Sequence, residues 1–312
     1  MKDKCVNIVF AMEKGIRAKT NLSRIVAMFL DFAIVILCSF LVKTFADPFV
    51  KNQGKVKENI QLRTDTLKET HLLKYDDSDK TFSYFNDKEL FTKEDDEFLI
   101  INRLAYFYID YLGDYNVKSF NSEILRVDEH DYYVKNEGRI ATFDTEKITE
   151  KDEIKKEVVT FTHDTYRAAT KKALNLKTVL EAEIYVEKIS HLTFAMIYFI
   201  FTIISFTLVP FFHFSGETLG QRIMKLRVLS STSNPILSWK QIILRNALLY
   251  SLPFYFYFVN GFASLIYPLL LIGVSLLVLV LVRKDKSLLD FIGDTKVVLS
   301  TNMPIDVNND KI

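Results

Sequence analysis

Apolar residues in this chain gather into three runs longer than the core helix of a small soluble domain requires. Ile25–Val42 is interrupted only by Asp31, Leu192–Phe212 carries no charge, and Asn246–Val282 carries none over 37 residues. A helix needs about 20 mostly apolar residues to cross a hydrocarbon layer roughly 30 Å thick. The first two runs therefore read as single spans. The third is long enough for two, with Asn260-Gly261 supplying residues that tolerate positive φ at a tight bend. The pattern predicts an α-helical polytopic membrane protein with four transmembrane helices, at 24–45, 190–212, 242–259 and 262–282.

Polar segments fill the intervals. The leader 1–23 contains Lys2, Lys4, Lys14, Arg17 and Lys19, with Arg24 at its end; the loop 213–241 contains Arg222, Lys225, Arg227 and Lys240; and the tail 283–312 begins Arg283, Lys284. Four spans put all three on one side, and an excess of Lys and Arg marks that side as cytoplasmic. Both termini are expected in the cytoplasm and the segment 46–189 outside. A cleaved signal peptide fits less well, because Lys43-Thr44-Phe45-Ala46 does not resemble a cleavage site. Lys43 reads instead as a snorkelling side chain at the outer interface.

Charge sharpens this division. Between residues 47 and 188 there are 23 Lys and Arg against 30 Asp and Glu, a net charge of −7, while the remainder of the chain carries +8. A solvated outer domain on a positive-inside membrane part has this polarity, and nothing in it favours nucleic acid as a partner. Cys5 and Cys38 are the only cysteines, and neither lies in the outer segment. An exported domain without disulfides suits a bacterial cell membrane. The expected partners are the lipid bilayer, further copies of the chain, and a protein that binds the outer domain.

The outer segment 46–189 reads as a mainly helical α+β domain. Helical spacing appears at Glu94–Leu112 and at 50–74, where it extends the first span. Thr165–Ser190 lacks glycine and proline and reads as one helix running into the second span, capped by Asp164. Tyr132-Tyr133-Val134 and Ile140–Phe143 flank Asn136-Glu137-Gly138 as the arms of a hairpin. The acidic clusters Asp76–Asp79 and Asp128–Asp131 lack metal-loop spacing and read as solvated loops. No nucleophile elbow, zinc-helix motif or glycine-rich phosphate loop occurs. Neither an enzyme nor a cofactor is therefore expected, and no catalytic, cofactor or metal residues are assigned.

The candidate chemistry lies in the spans. Arg24 and Asp31 share one helical face about 10 Å apart along the axis, and a carboxylate within hydrocarbon is a functional-site candidate by default. Arg245 enters the third span at similar depth, within reach of an ion pair with Asp31. With Asp290 and Arg222 these residues form an expected intramembrane polar cluster. Within the loop, Leu219, Ile223 and Leu226 share one face of an interfacial helix. Gly216–Val228 and Ser287–Val298 repeat the same order of amphipathic turn and short β-branched run. The strands 226–230 and 295–299 are expected to form a small cytoplasmic pair.

Three ordered stretches, Arg24–Asp31, Gly216–Val228 and Leu289–Val298, together resemble the RDD family of bacterial membrane proteins. That family is named for an arginine and two aspartates, for which Arg24, Asp31 and Asp290 are the matching positions. The resemblance covers residues 20–45 and 190–300. It implies a membrane role in which transport, including sodium/proton exchange, is one suggested activity. Two features depart from the family: the long insertion between the first two spans, and Leu289 where the family often has histidine. Two classes of function follow. One is small-solute or cation transport through the Asp/Arg cluster, in which Pro253 and Pro268 bend the last two spans. The other is a non-transporting anchor, assembly or signalling subunit whose acidic outer domain binds a partner.

Overall fold

The computed structural model describes residues 2–94, 97–135, 137–150, 153–212, 216–231, 237–252 and 286–299, with isolated positions between 255 and 278. The chain divides into two compact units, one formed by residues 51–187 and the other by 1–50 with 188–312.

The 51–187 unit is built of helices and short hairpins around its own apolar core. Lys156–Leu174 is its clearest example of pattern becoming packing. Val158, Thr162, Tyr166, Ala169 and Ala173 recur at intervals of three or four and are all buried, which places them on one stripe. Tyr166 donates from its hydroxyl to the Leu72 carbonyl at 2.6 Å and accepts from the Phe85 amide at 3.2 Å. That stripe meets Leu72, Ile100, Leu104, Phe107 and Phe120 in the core. The expected hairpin is present, with Tyr133 opposite Phe143 and Val134 opposite Thr142.

Three expectations for this unit are corrected. The Glu94–Leu112 helix begins at Leu99, because Lys93–Glu94 turns back to pair with Glu97–Phe98; it is α-helical to Ala105 and a π-helix from Tyr106 to Tyr111. The pattern at 50–74 is a separate helix, Gly54–Glu69, rather than an extension of the first span. Thr165–Ser190 is two helices, Lys156–Leu174 and Lys177–Ile203. Asn175 stops the first by folding its amide and its side chain back onto the Lys171 carbonyl, at 3.1 and 2.9 Å. Asp164 consequently caps nothing, since it lies inside the first of these helices. Its neighbour His163 bonds through Nε2 to Asp87 Oδ1 at 2.6 Å.

The other unit takes residues 2–50 of the first helix, Lys2–Lys51, and residues from 188 onward of the second, Lys177–Ile203, which continues as a π turn Ile204–Leu208 and a final turn Val209–Phe212. Among the described residues, Asn21–Lys51 and Lys177–Phe212 are the two helices long and apolar enough to cross a membrane, and only 28 % of each apolar window is buried. The third expected span begins as helix Trp239–Asn246 and tightens to a 3₁₀ turn at Ala247–Ser251. Most of its remainder, the Asn260-Gly261 bend, Pro253, Pro268 and most of the fourth span fall outside the described residues. Phe32, Val35, Tyr198, Phe206, Leu249 and Leu289 form the core that joins these helices.

The expected strand pair forms and is antiparallel, from Leu226 opposite Leu299 to Ser230 opposite Thr295. Leu226, Val228 and Ser230 alternate inward, as a strand with one covered face requires, and Val228 and Val297 pack on Ala27 of the first helix. The two helix–turn–strand segments that supply these strands, 218–230 and 287–299, are repeats. Thr218 caps Leu219–Ile223 as Ser287 caps Leu288–Ile292, each with a capping box. Lys225 and Asp294 then take positive φ, 55° and 47°, before each strand. Every landmark of the second segment follows its counterpart by 69 residues, and Val228 pairs with its own equivalent, Val297. A local two-fold axis therefore passes through the ribbon.

Candidate functional site

Pro210 and Asn246 define one wall of the site. An α-helical residue at position 210 would donate its amide to the Phe206 carbonyl, and proline has no amide proton to give. The chain relaxes into the π turn Ile204–Leu208, and Asn246 Nδ2 donates to that carbonyl at 2.6 Å and to Ile242 O at 3.0 Å. Thr207 and Tyr250 join the same two helices through their hydroxyls.

Asp31 projects from the first helix onto the helix Leu219–Ile223. Thr218 Oγ1 donates to Asp31 Oδ2 at 2.5 Å, and the Gly220 amide donates to Oδ1 at 2.7 Å. The carboxylate thus meets the amide-rich end of that helix, where negative charge is favoured. Close approach is possible because position 220 has no side chain. A Cβ there would collide with the Ala27 carbonyl and come within 2.9 Å of Asp31 Cγ. The expected Asp31–Arg245 ion pair does not form. Asp31 is 4 % exposed, and among the described residues its hydrogen bonds come from neutral groups.

Arg245 pairs with Asp290 instead, Nε to Oδ1 at 3.0 Å. Asp290 occupies the third position of the last helix, so its Oδ2 also accepts from the amide and hydroxyl of Ser287, at 3.1 and 2.8 Å, and its Oδ1 from Thr295 at 3.3 Å. Arg24 lies 4.0 Å from the same carboxylate and donates to the Val297 carbonyl. Asp290 is 1 % exposed and its many donors stabilise the charge that burial would otherwise penalise. Gly293 permits this packing, since a Cβ there would lie 2.6 Å from Arg245 Cβ.

Arg24, Asp31, Arg245 and Asp290 therefore converge, as the sequence suggests, and line a cavity of about 60 Å³ together with Thr218 and Asn246. The fifth expected member, Arg222, is exposed on the loop helix and does not line the cavity; the capping geometry that turns Thr218 and Gly220 toward Asp31 turns it outward. Leu226, expected on that helix face, belongs to the strand, while Leu219 and Ile223 stay exposed. Sequence reasoning missed Thr218, Gly220, Asn246 and Ser287. The capping-box spacings Thr218-x-x-Gln221 and Ser287-x-x-Asp290 were the available signals for two of them.

Comparison with curated proteins finds no match, and comparison with solved structures finds none. Residues 173–294 match the RDD family model. Arg24 and Asp31 precede the matched residues, whereas Thr218, Gly220, Arg245, Asn246 and Asp290 lie within them. The similarity to that family thus covers 122 of the 312 residues.

Proposed function

We propose that the protein is a four-span membrane protein of the bacterial cell membrane, with both termini cytoplasmic, that moves a small cation, a proton or sodium ion, by way of Asp31. One observation carries this reading: Asp31 borders a cavity and is not packed dry against an arginine. A carboxylate that serves only to staple helices gains most from a direct ion pair, and here the arginines are held by Asp290. A volume of about 60 Å³ leaves room for an ion with water beside the carboxylate. Expected positive-inside orientation places the cavity toward the cytoplasmic leaflet.

Sodium and proton flux through the purified protein in liposomes, wild type beside Asp31→Asn, tests the proposal. Flux that the substitution abolishes supports it. Flux equal in both, or absent for every ion tried, overturns it. Absence of flux would favour the second reading, a membrane-anchored binding protein. That reading draws on the separate core of the 51–187 unit and the net charge of −7 between residues 47 and 188.

A further inference from the structure

We infer that the loop helix Leu219–Ile223 and the transported cation compete for the carboxylate of Asp31, so that docking of this helix and occupancy of the site exclude one another. The inference rests on the transport reading of the same cavity.

Both carboxylate oxygens are engaged by hydrogen-bond donors, Oδ1 by the Gly220 amide and Oδ2 by the Thr218 hydroxyl. An amide N–H cannot ligate a cation, and a cation close to Oδ1 faces the positive end of that dipole. The hydroxyl of Thr218 aims its proton at Oδ2 while its oxygen accepts from the Gln221 amide at 3.3 Å, so it too must turn before serving as a ligand. Protonation of Asp31 acts in the same direction, because a carboxylic acid accepts far more weakly than a carboxylate. Neutralising Asp31 by either route weakens both attachments together.

The remaining contacts of the loop unit do not depend on Asp31. The strand following the helix is zipped to residues 295–299. The twin unit is fastened by Asp290 to Arg245, Ser287 and Thr295. The groups around Asp31 are Arg24 on its own helix, Thr218 and Gln221 on the loop unit, Arg245 and Asn246 on the third helix, and Asp290 with Ser287 on the last. Both arginines stay on Asp290, so undocking leaves one fixed ionic station and one free carboxylate. Lys225, at φ 55° between helix and strand, sits where the helix would swing. The duplicated architecture thus contains one station that depends on the charge of Asp31 and one that does not.

The test places spin labels at Leu22 and Ile223, which are 63 % and 61 % exposed and line no part of the cavity. The full chain, with Cys5→Ser and Cys38→Ala, is studied in liposomes at acid and alkaline pH, with and without sodium. A single docked distance is expected in alkaline, sodium-free buffer, and a second, undocked distance on acidification or sodium addition. Asp31→Asn should raise the undocked share at least about tenfold in alkaline, sodium-free buffer, since one hydrogen bond to a charged group is worth that much, and should leave that share insensitive to pH and sodium. Thr218→Val, which keeps the shape and removes the hydroxyl, should raise it less. An unchanged distance distribution in both variants overturns the inference. Ion flux without any change in distance overturns it while leaving transport standing. Cation-dependent undocking without flux supports competition at Asp31 and removes the transport reading.

Discussion

Arg245 and Asp290 meet at 3.0 Å with their side chains 9 % and 1 % exposed, the tightest ionic contact among the described residues of the cavity. Removing one member of such a pair leaves the other buried without compensation, which typically costs about 3–5 kcal/mol. Arg245→Gln is expected to fall at the lower end of that range, about 3 kcal/mol, because Asp290 keeps its bonds from Ser287 and Thr295 and has Arg24 at 4.0 Å. Asp290→Asn strands two arginines and should be at least as damaging. The double substitution should recover part of the loss. Thermal unfolding in detergent of the two single variants and the double checks this, and strictly additive losses would show that the pair is not coupled.

A second pairing joins Asn246 to the proline kink. Asn246→Ala removes the donor that serves the Phe206 carbonyl and should destabilise the protein by about 1–2 kcal/mol, the usual cost of leaving a buried acceptor unsatisfied. In a Pro210→Ala background the second helix regains its own amide donor, and the same Asn246→Ala change should cost much less. The measurement is a double-mutant cycle in one detergent. Equal cost in both backgrounds would show that Asn246 does not answer the proline.

The 51–187 unit offers a test of buried hydroxyls. Tyr132 is 5 % exposed, and its hydroxyl has no hydrogen-bond partner among the described residues. Burial, followed by the negative charges of Glu157 and Asp131, pushes its phenol well above the ordinary value of 10. A raised pKa contributes stability that is whole below the unfolded value near 10 and is lost as pH rises toward the folded one. Tyr132→Phe removes an unsatisfied group and is expected to be neutral or stabilising by about 1 kcal/mol at neutral pH. It should also move the alkaline unfolding midpoint upward, which a fluorescence titration of the intact chain would reveal.

The elements that the sequence discloses are those whose determinants are local. The bounds of the 226–230 and 295–299 strands are legible because each β-branched run follows a helix-ending turn, and the first long apolar helix is legible from its apolar run alone. Arg24, Asp31, Arg245 and Asp290 converge as charges in apolar surroundings must. What the sequence conceals is which partner each one takes. Asp31 chose Thr218 and Gly220, 187 and 189 positions away, over an arginine, and a capping threonine or a loop glycine carries no mark of such a contact. The end of helix Lys156–Leu174 is hidden for another reason: Asn175 stops it through hydrogen bonds where neither glycine nor proline announces a break.

Gly220 supplies the sharpest steric prediction. Its backbone lies against Ala27 so closely that an added methyl group would overlap the Ala27 carbonyl and crowd Asp31 Cγ at 2.9 Å. The Ala27 carbonyl is backbone and cannot swing aside, so relief requires the loop helix to back away and lengthen both bonds to Asp31. Gly220→Ala should therefore cost about 1–3 kcal/mol by overpacking, despite alanine's better helix propensity. Gly273 meets nothing within 4 Å where a Cβ would stand, and Gly273→Ala should be neutral or slightly stabilising because only the propensity term remains. Spin-labelled Gly220→Ala should also show the undocked distance at alkaline pH, where the parent chain does not. If both alanine variants unfold at the parent temperature and keep the docked distance, the loop helix is not held by close packing on the first span.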